Sequence, residues 1–221
     1  ERFWVLVVPV LSVLVIVGMR PSRFVGPDAV PFITLATKMA APGFWAEPNA
    51  LAGDFSGNFW SVGYPLFVGG LLRLGGGSLD VVQAVQVFLG ATLAVLAWLL
   101  ARHLGRRVRL AVLVVVAFSP PVVAMSHSLG YEVLLSWLLV ASLALLWGYG
   151  GAPRIQNSWR EWIAAFLSGL LVAGAILVQS KSIAVLPVLF WLVWRWGLSS
   201  RLAFVGGLAA PLVPWMVRNT I

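Results

Sequence analysis

The sequence predicts an all-α, polytopic membrane protein with about seven transmembrane helices and two interfacial helices in the first outer loop. Three observations predict it: the apolar content, the spacing of the apolar runs, and the position of the arginines between them. Hydrophobic residues make up 61% and charged residues 10% of the 221 residues, with a mean hydropathy of +0.97. An average soluble domain holds about 45–50% apolar and about 25% charged residues. A soluble fold of this length cannot hide so much apolar surface, so the solvent is lipid. In a soluble protein the net charge of +8 would suggest nucleic acid. Here the basic residues separate hydrophobic runs, so they report topology and no nucleic-acid partner is expected. The chain has no cysteine, so disulfide and thiolate chemistry are unavailable to it.

A membrane-spanning helix needs about 20 mostly apolar residues, within a range of about 17–25. The candidates are Phe3–Gly18, Val81–Ala101, Leu110–Met125, Tyr131–Tyr149, Trp162–Val178, Ile183–Trp196 and Leu202–Val217. The first is followed by Met19-Arg20-Pro21 instead of a small-residue cleavage site, so it reads as a retained helix and not a signal peptide. Several runs are short, and flanking arginines and tryptophans extend them by snorkelling to the headgroups. The polar stretch Gln179–Ser182 reads as a tight turn or a break. Trp159, Trp162, Trp194, Trp196 and Trp215 fall near predicted helix ends, where indole rings favour the interface.

With the amino terminus in the cytoplasm, the inner side receives Arg2, Arg102, Arg106, Arg107, Arg109, Arg154, Arg160, Arg195 and Arg201, nine of the fifteen basic residues. The outer side receives Arg20, Arg23, Lys38, Arg73, Lys181 and Arg218, spread over a longer loop. That split satisfies the positive-inside rule and predicts a multi-pass plasma (inner) membrane protein. Asp28, Glu47, Asp54, Asp80 and Glu132 lie outside, against Glu1 and Glu161 inside. Acids contribute little to topology, so their asymmetry points to a chemical use of the outer face.

The outer loop, residues 19–79, is too long for a mere connection. Within it Phe32, Leu35, Ala36 and Met39 recur at helical spacing, and Tyr64–Leu74 forms an apolar segment closed by Gly75-Gly76-Gly77. Each is too short to span, and each reads as a helix lying in the interface plane.

The chemistry is expected at the outer face. Asp28, in Pro27-Asp28-Ala29-Val30-Pro31, reads as a helix N-cap and equally as a fixed carboxylate able to act as a general base. Glu132, opening the fourth candidate span, reads as a helix-dipole partner. It is also an ionisable group at the membrane boundary, which is a functional feature by default. Lys181 and Arg218, with Arg20 and Arg23, could form a basic mouth for a phosphate or could simply anchor headgroups. Two histidines, His103 and His127, lie on opposite sides and give no metal-ligand spacing. No nucleotide-binding loop, nucleophile elbow or heptad seam is present.

Taken in order, several segments resemble the GT-C membrane glycosyltransferases, nearest the protein O-mannosyltransferase-like and lipid A aminoarabinose transferase-like branch. They are Pro27-Asp28, Ser61-Val62-Gly63-Tyr64-Pro65-Leu66-Phe67, the pair Gln83 and Gln86, and Ala101-Arg102-His103-Leu104-Gly105-Arg106-Arg107. Phe118-Ser119-Pro120, Glu132 and Pro214-Trp215-Met216-Val217-Arg218-Asn219 complete the pattern, which spans most of the chain. The resemblance implies a transferase that takes sugar from a polyprenyl-phosphate donor on the non-cytoplasmic face. It implies Asp28 as the catalytic carboxylate and Glu132 as a second active-site group. The chain departs from the family where Ala29, Val30 and Pro31 follow Asp28 and where Lys181 replaces an arginine-proline pair. Because both chain ends read as cut, residues 1–221 are expected to be the N-terminal part of one such transmembrane domain, with further helices and an outer domain beyond it.

In the implied reaction Asp28 removes a proton from an acceptor hydroxyl whose oxygen attacks the anomeric carbon. The bond to phosphate breaks, polyprenyl phosphate leaves, and the anomeric centre inverts. Cations stabilise the leaving charge; Lys181, Arg218 or a divalent metal could do so, and Glu132 could orient the acceptor or hold that metal. Membrane lipids are the other expected partners, and the acceptor is left open. A transporter or flippase module is the competing reading, with Pro120, Pro121, Pro211 and Pro214 as candidate helix breaks. A structural subunit of a membrane complex is a third.

Overall fold

The computed structural model describes residues 2–18, 29–41, 62–150 and 159–220. Among them every regular element is helical. The α-helices are α1 (Arg2–Gly18), α2 (Ala29–Ala40), α3 (Gly63–Leu74), α4 (Leu79–Leu100), α5 (Arg106–Ala117), α6 (Pro120–His127), α7 (Glu132–Gly150), α8 (Trp159–Val178), α9 (Leu186–Trp194) and α10 (Leu198–Thr220). Short 3-10 turns at Ala101–His103 and Ser180–Val185 precede α5 and α9.

Among the described residues three helical stretches are long and apolar enough to cross a membrane: Leu79–His103, Trp159–Val178 and Leu198–Val217. A fourth crossing exists if α5 and α6, bent by 41° at their junction, count as one. This makes the chain a membrane protein, and it corrects the expectation of about seven spans. The reasons are local. Pro120 has no N–H and pushes Ser119 into an extended conformation (ψ 123°), which breaks the third candidate. Ser180–Val185 winds as a 3-10 turn and leaves only nine α-helical residues to the sixth. The apolar stretches Phe3–Gly18 and Glu132–Trp147 are shorter than those three.

The two short helices expected in the first loop are present. α2 buries Ala29, Phe32, Leu35, Ala36 and Met39 on one face. α3 ends in a turn where Gly76 and Gly77 have φ of 62° and 87°, a region L side chains avoid. There the amides of Gly75 and Gly77 donate to the carbonyls of Leu71 (2.8 Å) and Leu72 (2.7 Å). Ser78 Oγ then accepts from the Asp80 amide (3.1 Å) and caps α4.

Helix packing gives the bundle two chemically distinct ends. At one, the α4 start, the α6–α7 link and the α8 and α10 C-termini surround α2 and α3, with Phe32, Tyr64, Leu129, Val133 and Val178 in one cluster. Trp215 and Leu177 join Leu35, Met39 and Val62 in a second cluster at that end. At the other, Leu146, Ala165, Val193 and Ala203 bring together α7, α8, α9 and α10. Arg102 donates there to the Trp147 carbonyl (2.8 Å). Between the ends α8 and α10 touch backbone to backbone, since Gly169 abuts the Phe204 carbonyl and Gly207 the Phe166 carbonyl. Small residues at a helix crossing permit that approach.

Candidate functional site at the Glu132 end

The described outer-side charges predicted from sequence gather at one end: Glu132 opens α7, Asp80 sits in the first turn of α4, and Lys181 follows the end of α8. The arginines of the predicted inner side gather at the other. Asp80 lies beside the capping Ser78, with Ser78 Oγ 3.4 Å from its carboxylate. Glu132 is half-buried, and its carboxylate folds back over Gly130 so closely that a Cβ at 130 would collide with Oε2. A carboxylate in the first turn of a helix is also stabilised by the free N–H groups of that turn.

Beneath Glu132 lies a buried polar network. Gln86 is fully buried; its amide nitrogen donates to the Gly130 carbonyl (2.8 Å) and to the Tyr64 hydroxyl oxygen (3.3 Å). The carbonyl partner fixes the amide orientation, because the reverse would set two oxygens against each other. Gln86 Oε1 is buried with no hydrogen-bond partner among the described residues. Tyr64 is 1% exposed and meets Phe32 edge-on, ring centroids 5.3 Å apart. Burial raises the pKa of its hydroxyl; the bond from Gln86 opposes this, and the charge of Glu132 adds to it. Tyr64 therefore remains a neutral hydroxyl with its acceptor side occupied by Gln86.

Tyr131 and Gln179 tie the start of α7 to the end of α8. The Gln179 amide donates to the Tyr131 hydroxyl (3.3 Å), one residue from Glu132 and two from Lys181. Lys181 is exposed, on a 3-10 turn that begins just after α8. Further along α4, Gln83 Nε2 is 3.5 Å from Nδ1 of the buried His127.

Asp28, Arg20 and Arg23 lie outside the described residues, as does the Arg218 side chain. Ala29, the first residue of α2, is 2% exposed and belongs to the cluster containing Tyr64, Leu129 and Val133. The chain thus enters α2 among the residues that flank Glu132. A cavity of about 480 Å³ opens between α2, α3 and the glycine turn, lined by residues including Ile33, Leu72 and Arg73. It contains neither Glu132 nor Lys181. Among the described residues no group of three or more His, Cys, Asp or Glu could hold a metal.

Gln86, Gly130, Tyr131 and Gln179 had no site role from sequence. The available signal was Gln86 as an amide in an apolar run, where polar residues are costly. Comparison with protein-family models, with curated proteins and with solved structures found no match in any of the three.

Proposed function

We propose that the chain carries the membrane-embedded part of a glycosyltransferase that moves a sugar from a polyprenyl-phosphate donor to an acceptor hydroxyl on the non-cytoplasmic face, with inversion. The observation that carries this reading is the concentration of polar chemistry at one end of an apolar bundle. Glu132 opens α7 beside the Tyr64–Gln86–Gly130 network, Lys181 follows the end of α8 at the same end, and the arginine-dense links are at the opposite end. A lipid-borne donor suits such a site, because its tail dissolves in the bilayer while its phosphate and sugar remain at the surface.

In this mechanism Asp28 accepts the acceptor's proton as its oxygen bonds to the anomeric carbon and the phosphate oxygen departs with the bonding pair. Lys181 and Arg218, with Arg20 and Arg23, balance the charge on the departing phosphate. Glu132 orients the acceptor, or would hold a divalent metal that supplies positive charge to the phosphate. The shorter apolar helices α1, α7 and α9 complete the bundle at membrane depth.

The test is release of polyprenyl phosphate from a panel of polyprenyl-phosphate sugars by the protein encoded by the whole gene. Asp28→Asn is expected to abolish release while expression persists; near-normal turnover in that variant removes Asp28 from the mechanism.

One observation favours a second reading, a lipid or solute transporter or flippase module: the 41° break between α5 and α6, the helix that ends at the buried His127. Translocation of a labelled lipid across vesicles, with no polyprenyl phosphate released from any donor, would replace the transferase reading.

A further inference from the structure

The cavity beside the glycine turn has no part in the transfer reaction, since neither Glu132 nor Lys181 lines it. Its walls come from Ile33 and Thr37 of α2, Leu72 and Arg73 of α3, the turn glycines 76 and 77, and Leu79 of α4. At about 480 Å³ it has about three times the volume of an apolar cavity that takes a benzene ring. Arg73 is the one charged side chain among its described lining residues, and no acid lines it.

Leu79 sets the depth of this cavity in the membrane. The span Leu79–His103 has 25 residues. With a rise of about 1.5 Å per residue it is about 37 Å long, against about 30 Å of hydrocarbon. Centred on the bilayer, its first turn lies among the lipid headgroups, and the cavity lies there with it. Leu74, next to Arg73, is 85% exposed. An exposed leucine beside a cation suits a helix lying in the bilayer interface.

Arg73 is exposed and makes no hydrogen bond or ion pair among the described residues. Capping does not occupy it either, because the amides of Gly75 and Gly77 meet the Leu71 and Leu72 carbonyls. A soluble anion would use Arg73 and leave the apolar walls in contact with water. A neutral apolar chain would fill the walls and leave the cation without a counter-charge. A phospholipid satisfies both.

We propose that this cavity holds an acyl chain of an anionic glycerophospholipid whose phosphate lies against Arg73. Its occupancy does not depend on the transfer reaction.

The test separates the chain from the headgroup. The protein is reconstituted in nanodiscs of equal parts phosphatidylglycerol and phosphatidylcholine and extracted in mild detergent. The lipids that stay bound are then counted by native mass spectrometry. One arginine at an anionic lipid surface contributes about fivefold in affinity. Arg73→Gln should therefore lower the preference for phosphatidylglycerol about fivefold while the number of bound lipids stays the same. Thr37 and Ala41 line the cavity and are exposed, so a tryptophan at either can fill it without disturbing the buried face of α2. Thr37→Trp and Ala41→Trp should each bind one lipid fewer, of either headgroup, with thermal melting unchanged. Leu74→Trp, outside the lining, should alter neither the count nor the preference. An undiminished count in both lining variants, an unchanged preference in Arg73→Gln, or equal losses in Leu74→Trp would each overturn the proposal. Lining variants that melt lower with the lipid count unchanged would also overturn it and assign the cavity to residues 42–61 instead.

Discussion

The two ends of the bundle treat their polar groups in opposite ways. At the Glu132 end polar side chains are buried or half-buried and hydrogen-bonded within the chain: Gln86 to the Tyr64 hydroxyl and the Gly130 carbonyl, Gln179 to Tyr131. At the arginine end the cations lie over aromatic rings and reach helix-terminal carbonyls, as Arg201 does with the Trp194 ring at 4.4 Å and the Trp194 carbonyl at 2.7 Å. The first arrangement holds a few groups in one geometry, as chemistry requires. The second keeps charge at a surface where many geometries serve equally. In an apolar bundle, burial of polar groups is the better guide to a reaction site, and abundance of charge the better guide to topology.

Four measurements break or sharpen that contrast. The largest effect is expected from Glu132→Gln, which should lower sugar release about 100-fold or more if the carboxylate acts on the acceptor. Arg106→Gln, assayed alongside, should change it little, and equal losses would dissolve the distinction between the ends. Next is Gly63→Val. A Cβ at Gly63 would lie 2.6 Å from the backbone of Leu177 and Val178, so α3 and α8 must separate. A loss of about 3 kcal/mol in unfolding free energy, read by thermal or denaturant melts in detergent, is expected from this overpacking.

Gln86→Leu should cost about 2 kcal/mol, because it leaves the Gly130 carbonyl without its buried donor. Arg201→Gln should cost less than about 1 kcal/mol in the same melts. A reversed order would show that the arginine end holds the bundle together. The smallest effect concerns pH. The Tyr64 hydroxyl holds its proton more tightly in the folded chain than its ordinary value, so the folded state binds more protons in alkali. Stability is then fully present below the unfolded tyrosine value of about 10 and falls as pH rises above it. Tyr64→Phe should show a shallower alkaline decline; an identical slope would place the titrating group elsewhere.

Much of this molecule was legible beforehand where a local rule applies. The face of α2 followed from the spacing of Phe32, Leu35, Ala36 and Met39, and all four are buried. The end of α3 followed from three consecutive glycines, two of which take positive φ. The count of spans was not legible, because hydropathy counts apolar residues without regard to what the backbone does between them. Ser119–Pro120 and Ser180–Val185 look like minor interruptions in a window average, but they break or shorten helices. The site was half legible: Glu132 and Lys181 could be placed at one end, while the bond from Gln179 to Tyr131 that ties the α8 end to the α7 start could not.

By itself, the amino-acid order determined the solvent, the helical class, the two short helices and the division of charge between the ends, because each depends on composition or on neighbours within a few residues. Only the tertiary structure decided that Gln86 supports the turn before Glu132 from 44 residues away, and that Gly63 exists to let α3 meet α8. Such contacts join helices distant in sequence, and the free energy of a buried amide or a crowded glycine depends on the partner that packing brings to it.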